Sequence, residues 1–363
     1  VDNKRILIIE PFYSGSHKQW IDGLIQHVIP YATLLSLPGK FWKWRMEAGA
    51  WKLAEMYRDL EKEYDLILCS DMLNLPLFVS LAQINRDKTK LVLYMHENQL
   101  TYPWNETDQD LHLQRDRHYG FINLMSCYLA DQIFFNSAYH KSIFLAAIDP
   151  FLKVFPDHVP IGTHERIKKK SDVLPIGLSL KKIIDIKNIP NKIPHILWNH
   201  RWEHDKNPKL FFESLYQVQK EAIDFRLILL GQNLTIQDPI FSKAQKILSS
   251  KIIHHGYVEN YNKYVELLSL ADYLPVTSHH DFFGISVVEA IAAGCTPILP
   301  RNLSYPEHLD PLLYPDIFYN NEDEFLSKLK KSIQSPAENK HLREEMSKYD
   351  WTNLEKKYSA VLK

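Results

Sequence analysis

Short apolar runs alternate with amphipathic stretches along nearly the whole chain, and that alternation predicts the architecture. Runs at Arg5–Ile9, Thr33–Leu37, Leu66–Cys69, Lys90–Met95, Gln132–Phe135 and Val173–Pro175 have the length and composition of buried strands. Each is followed by residues of helical period, such as Met46–Glu61 and Leu111–Leu129. The pattern restarts at Ile196–Asn199, Arg226–Leu230, Ile252–His255, Tyr273–Val276 and Thr296–Leu299. These strands are apolar almost throughout, not at every second residue, so both faces of each sheet are expected to be covered, as in parallel α/β layers. The polar stretch Leu180–Pro194 separates the two sets, with Ile183–Ile193 as a hinge. Two doubly wound α/β domains are therefore expected, over residues 1–182 and 190–345. Helices at Asp323–Gln334, Ala337–Lys348 and Asn353–Leu362 close the chain.

Composition narrows the class. A chain of 363 residues, 45% hydrophobic and 24% charged, is of globular type and long enough for two cores. No apolar run reaches the roughly 18 residues of a membrane span. The first residues, Lys4 to Glu10, read as a strand and not as a secretory signal. Cys69, Cys127 and Cys295 are far apart with no C-x-x-C, which fits small buried thiols in a reducing, cytoplasmic setting. The triplets at Asn105, Asn233 and Asn302 then carry no glycosylation meaning. A net charge of −1 means that any nucleic-acid contact must come from a local patch.

One stretch carries the clearest chemistry. The strand Tyr273–Val276 leads to Asp281, then to the turn Phe282-Phe283-Gly284-Ile285, then to a helix holding Glu289. Gly284 lacks a Cβ, so a ligand can approach backbone N–H groups that have no partner within the helix, where the dipole favours an anion. Two carboxylates eight positions apart beside that anion site suit a sugar joined to a phosphate. Taken alone, an ordinary βαβ unit punctuated by Gly284 and Gly294 fits the spacing equally well. Arg201 and Lys206 follow the first strand of the second set, where two cations would stabilise a departing diphosphate. A solvated charged loop is the plain counterpart.

Other candidates sit at strand ends. Gly15, Ser16 and His17 lie in the loop Pro11–His17, and His96 ends the run Leu91–Met95. Alone, they are a tight turn and a hydrogen-bonding cap. Asn136, Ser137 and Gly177 read as caps and turns, and Gly256 with Tyr257 as close packing. Lys40, Trp42, Lys43, Trp44 and Arg45 interleave basic and aromatic types, which suits stacked bases and phosphates but also a helix start packed on the core. Lys168–Lys170 reads as a solvated loop. Asp108 and Asp110 read as an N-cap cluster, not a metal motif. The doublets His254-His255 and His279-His280 point to opposite faces, so no metal site is expected.

The Asp281-to-Glu289 pattern with Arg201 and Lys206 resembles the retaining GT-B glycosyltransferases of the family-4 type, with Asp281 one methylene shorter than the usual Glu. That resemblance implies two Rossmann-like domains facing across a cleft and a last helix, in 346–363, returning to the first domain, anchored by Trp351. It implies that Arg201 and Lys206 clamp a diphosphate, Glu289 binds ribose and Asp281 the hexose. Backbone at Phe282, Phe283, Gly284 and Ile285 would add donor contacts, with His96 beside the transferred sugar. Gly15, Ser16, His17, Asn136, Gly256 and Tyr257 would complete the donor site. The segments Glu10–Gln19, Leu37–Arg45, His96–Pro103, Arg117–Gly120, His200–Lys206 and Asp281–Ile285 are similar to the tRNA-queuosine α-mannosyltransferase family. This closer likeness implies metal-independent, retaining transfer of mannose from GDP-mannose to queuosine in the wobble position of an aspartate tRNA. It makes Lys40, Trp42, Lys43, Trp44, Arg45, Glu97, Asn98, Gln99, Tyr102, Arg117 and Tyr119 candidates for the acceptor side. A hexosyltransferase acting on a lipid or saccharide, and a silent nucleotide-sugar or tRNA-binding protein, are the alternatives.

Overall fold

The computed structural model describes residues 4–105, 108–113, 115–186, 191–231, 239–335 and 341–363. Asn233, part of the expected hinge and the start of the helix expected at Ala337–Lys348 lie outside these residues. The chain forms two units, Val1–Leu178 with Trp351–Lys363, and Ser179–Asp350. It thus leaves the first unit before the boundary expected at 182 and re-enters it at Trp351, later than 346.

The first unit is a parallel sheet of β1 (Ile6–Tyr13), β2 (Thr33–Pro38), β3 (Leu66–Ser70), β4 (Lys90–Met95), β5 (Gln132–Phe135) and β6 (Ser171–Val173), in the order β2-β1-β3-β4-β5-β6. Leu7, Ile9, Ile67, Leu91, Leu93 and Ile133 lie wholly buried in the core on one face. The order reverses at β1, so loops after β1 and β3 diverge and leave a crevice at their carboxyl ends, where doubly wound sheets bind ligands. The second unit repeats the plan with β7 (His195–Asn199), β8 (Arg226–Leu230), β9 (Ile252–Gly256), β10 (Tyr273–Pro275), β11 (Thr296–Pro300) and β12 (Phe318–Tyr319), in the order β12-β11-β10-β7-β8-β9. Its core gathers Trp198, Phe211, Phe212, Phe225 and Phe241. Helix starts are set locally: Asn74, Ser137, Asn207, Asn260 and Asn321 each accept a hydrogen bond from the backbone N–H three residues on.

Several expected boundaries move, each for a local reason. β1 runs on through Pro11 to Tyr13 and the first helix begins at Gly15, so the expected loop Pro11–His17 shrinks to a turn at Ser14. β6 is Ser171–Val173, not Val173–Pro175, because Pro175 has no N–H to offer the ladder. The second helix starts at Trp42, four residues ahead of Met46, and places Trp42 to Arg45 in its first turn, with Lys40 ahead of it. The stretch Leu111–Leu129 is two helices, Gln109–His112 and Arg117–Leu129. β12, of two residues, is too short to show a period.

The last helix, Trp351–Leu362, belongs to the first unit. Trp351 lies so close to Gly23 and Gly177 that a Cβ at either would come within 2.0 and 2.5 Å of the indole. Gly177 is therefore a packing glycine, not a ligand contact.

Candidate functional site

In the second unit the loop after β7 and the loop after β10 meet around Lys206. Its Nζ is buried, donates to the His280 carbonyl at 2.8 Å, and lies 3.0 Å from Asp205 and 3.6 Å from Asp281. Burial alone would lower the lysine pKa, but Asp281 and Asp205 outweigh it and hold the ammonium above its usual range. Burial likewise pushes Asp281 up, and Lys206 with the Tyr305 hydroxyl (3.0 Å to Oδ2) brings it below the usual carboxylate range. Both contacts fall on Oδ2, so Oδ1 is the oxygen left for a ligand among the described residues. Arg201 is exposed and pairs with Glu203 at 3.3 Å. His200 and His280 beside them are held neutral, at about 4, by burial and then by the Lys206 charge. The expected pair of cations is thus one buried, compensated lysine and one exposed arginine.

The turn at Phe282–Gly284 is pinned from behind. Ser304 Oγ and His308 Nε2 reach the Phe283 carbonyl at 3.0 and 2.5 Å, while the Phe282 and Phe283 side chains are buried. Gly284 takes φ of 80°, and a Cβ there would press on the Tyr305 ring at 3.2 Å, so the position excludes larger residues for two reasons. The helix Ile285–Ala292 starts at once, with its first N–H groups pointing back along its axis. Inside it, Glu289 accepts from the Tyr264 hydroxyl at 2.8 Å, and Asn199 donates to that same hydroxyl at 2.9 Å. At the end of β9, Gly256 (φ 118°) faces open space and Tyr257 is exposed, so this backbone is accessible.

The first unit brings a second cluster together at the carboxyl ends of β1, β3 and β4. Glu10, fully buried, receives the Phe12 N–H at 2.8 Å and contacts His17 Nδ1 at 3.0 Å. Burial lowers the His17 pKa, but Glu10 more than reverses this and raises it to about 9. The His17 ring lies 4.1 Å from the ring of His96, tilted by 36°. His96 is enclosed by Trp20 and Tyr94, and burial with the His17 charge keeps it neutral. Neither of its ring nitrogens has a hydrogen-bond partner among the described residues, an unusual state for a buried imidazole and one that a ligand oxygen would relieve. Asp71, buried after β3, accepts the His96 backbone N–H at 2.7 Å; burial pushes its carboxyl up while His17 pulls it down. Asn136 is spent on the His96 carbonyl (2.8 Å) and His140 (2.9 Å), and Ser137 is a helix cap. Gly15 and Ser16 are exposed at the first helix start.

The candidates for the acceptor divide. Trp42 packs on Tyr119 (5.1 Å), and Lys43 is bound to Asp108 at 2.6 Å and Asp110 at 2.5 Å, so these face inward. Tyr119 donates to Asp110 at 3.3 Å. Asp108 caps its helix, as its spacing suggests, and among the described residues no cluster of His, Cys, Asp and Glu is arranged to hold a metal. Asn98 Oδ1 closes a local turn onto Leu100 and Thr101, and Gln99 joins Glu97 at 3.2 Å. Arg45 Nε donates to the Pro38 carbonyl at 3.1 Å. Lys40, Trp44 and Arg117 are exposed, and Tyr102 is half-buried. Glu10, Asp71, Asp205, Tyr264 and Tyr305 escaped the sequence reading. Glu10 and Asp71 left a signal, an acid just after an apolar run; the tyrosines reach in from distant helices and left none.

Residues 5–178 match the family model described as the N-terminal domain of tRNA-queuosine alpha-mannosyltransferase, and 180–350 that of group 1 glycosyl transferases. A curated tRNA-queuosine alpha-mannosyltransferase from Drosophila melanogaster is 35% identical over 342 residues, covering 91% of this chain and 87% of that protein. The chain belongs to the tRNA-queuosine alpha-mannosyltransferase family. It is a glycosyltransferase, and the two family models divide it where its two structural units divide. Sucrose-phosphate synthase from Thermosynechococcus elongatus superposes with a TM-score of 0.68 at 12% identity, over 99% of this chain and 98% of the other. The Anabaena HepE protein in complex with UDP gives 0.65 at 13% identity, over 99% of both. These likenesses establish the GT-B fold for this mannosyltransferase relative. Among the described residues no helix is long and apolar enough to cross a membrane.

Proposed function

We propose that this chain transfers mannose from GDP-mannose to the cyclopentenediol of queuosine at the wobble position of an aspartate tRNA, with retention and in the cytoplasm. The observation that carries the reading is the Lys206–Asp281–Glu289 frame, built in a chain of this family. Glu289, oriented by Tyr264, holds the ribose hydroxyls; Asp281 Oδ1 takes a hydroxyl of the hexose. The N–H groups opening the helix at Ile285, with Lys206 and Arg201, meet the diphosphate, whose charge grows as the glycosidic bond breaks. Resident cations perform that neutralisation, so the reaction needs no metal. Neutral His96 offers one N–H to the transferred sugar and positions it; the departing phosphate takes the acceptor proton.

The test is to incubate the protein with queuosine-containing tRNA and a panel of nucleotide sugars, then weigh the modified nucleoside. Gain of one hexose from GDP-mannose alone is the expected result. A gain from another sugar nucleotide refutes the donor, and none from any refutes the acceptor.

A further inference from the structure

One face of the helix Arg117–Leu129 is built unlike an ordinary surface. Arg117, Phe121 and Tyr128 are spaced four and seven apart, so they share one side along about 16 Å of helix. Phe121 is 41% exposed and pairs with Phe155, itself 37% exposed, at 5.7 Å between ring centroids. At the other end the Arg166 guanidinium lies over the Tyr128 ring, 4.0 Å from its centroid, and donates to its hydroxyl at 2.8 Å. Arg166 and Arg117 are exposed and form no ion pair among the described residues; the same holds for Lys153, two residues before Phe155, and Lys169, three after Arg166. The helix itself carries no acid. Between 151 and 171 five lysines and arginines face two carboxylates, against a whole-chain charge of −1. Lys170 is excluded from this set, because it is bound to the carbonyls of Tyr128 and Ala130.

The direction of this face matters as much as its chemistry. The helix runs back from the carboxyl edge of the sheet. At its first turns Gly120 lies against the Gln99 carbonyl (3.2 Å from a Cβ there) and Asn123 holds the Gln99 N–H (2.8 Å). The Arg117 end therefore adjoins the His96–Gln99 loop, and the Arg166 end leads away from it. Alternating cations and open aromatic rings bind single-stranded nucleic acid, whose phosphates and base faces repeat in the same way.

The geometry points to the Arg117–Phe121–Phe155–Tyr128–Arg166 face as a binding track for an RNA strand that continues from the acceptor nucleoside. The inference rests on the RNA acceptor proposed above. Arg166, tethered to the Tyr128 hydroxyl, contributes a preoriented cation for phosphate, and Phe121 with Phe155 a platform for an unstacked base.

Queuosine-containing tRNA is titrated by filter binding at several salt concentrations against wild type, Arg166→Ala, Phe121→Ala and Lys153→Glu. Arg166→Ala and Lys153→Glu are expected to weaken binding several-fold and to flatten the salt slope by about one each. Phe121→Ala is expected to weaken binding roughly fivefold to a hundredfold with the slope unchanged, as loss of stacking does. GDP-mannose affinity, read by calorimetry, and the circular-dichroism spectrum should equal wild type in all three, which shows that each is folded. Unchanged tRNA affinity and slope in Arg166→Ala and Lys153→Glu, with wild type still modifying the tRNA, overturns the track alone. A wild-type chain that does not bind this tRNA overturns both the track and the acceptor. A wild-type dimer that Phe121→Glu disperses without loss of tRNA affinity puts a second copy on this face instead.

Discussion

Lys206 keeps its charge in a buried site only because Asp205 and Asp281 compensate it. A diphosphate arriving there would meet an ammonium already oriented by the His280 carbonyl, so little reorganisation accompanies bond breaking. Removing it leaves two carboxylates unopposed. Lys206→Ala is expected to lower kcat by about tenfold to a thousandfold, as loss of oxyanion-type stabilisation does. Arg201→Ala, at an exposed position, is expected to cost less within that range. Steady-state transfer assays decide it, and equal, unchanged kcat in both variants would remove the clamp. At the same scale, Glu10 holds His17 protonated up to about 9, against an unfolded value of about 6.5. A raised histidine pKa contributes stability that is complete below about 6.5 and is lost as pH rises toward 9. Asp71, pushed up by burial, acts in the same direction. The depressed His200, His280 and His308 act only below pH 6.5. Urea midpoints of wild type should therefore fall between pH 6.5 and 9, and Glu10→Gln should begin lower and fall less. Parallel curves for the two would deny the buried pair.

At the scale of elements, the last helix is fixed to the first unit by the buried side chains of Trp351 and Tyr358. Trp351 fills the space left by Gly23 and Gly177, stacks on His27 at 6.0 Å, and Tyr358 on the same helix accepts from the Trp20 indole at 2.9 Å. Trp351→Ala is expected to destabilise the chain by about 3–5 kcal/mol, read in denaturant melts; a loss below one kcal/mol would mean that the helix is held elsewhere. The strands that carry the sites were legible because buried parallel strands are apolar runs with sharp ends, and Lys90–Met95, Gln132–Phe135 and Arg226–Leu230 match to the residue. Helix starts were less so. Trp42 opens its helix with Phe41 in a left-handed conformation and no side-chain cap, so only the aromatic makeup of the segment, and no capping residue, marked a helix start there. Acids placed by motif, Asp281 and Glu289, could be read; the tyrosines that orient them, 24 and 25 residues away in sequence, could not.

At the scale of the molecule, two similar α/β units each carry one buried polar cluster. Unit two carries the frame of Lys206, Asp281 and Glu289, and unit one the neutral His96, whose ring nitrogens have no hydrogen-bond partner among the described residues. Donor binding in this enzyme is expected to rest on the first of these. Its most direct test is a crystal structure of the protein with GDP-mannose bound. The diphosphate is expected within hydrogen-bond distance of Lys206 and the N–H groups opening the helix at Ile285, with the ribose on Glu289. A donor bound in full occupancy away from Lys206 and Glu289 would contradict it.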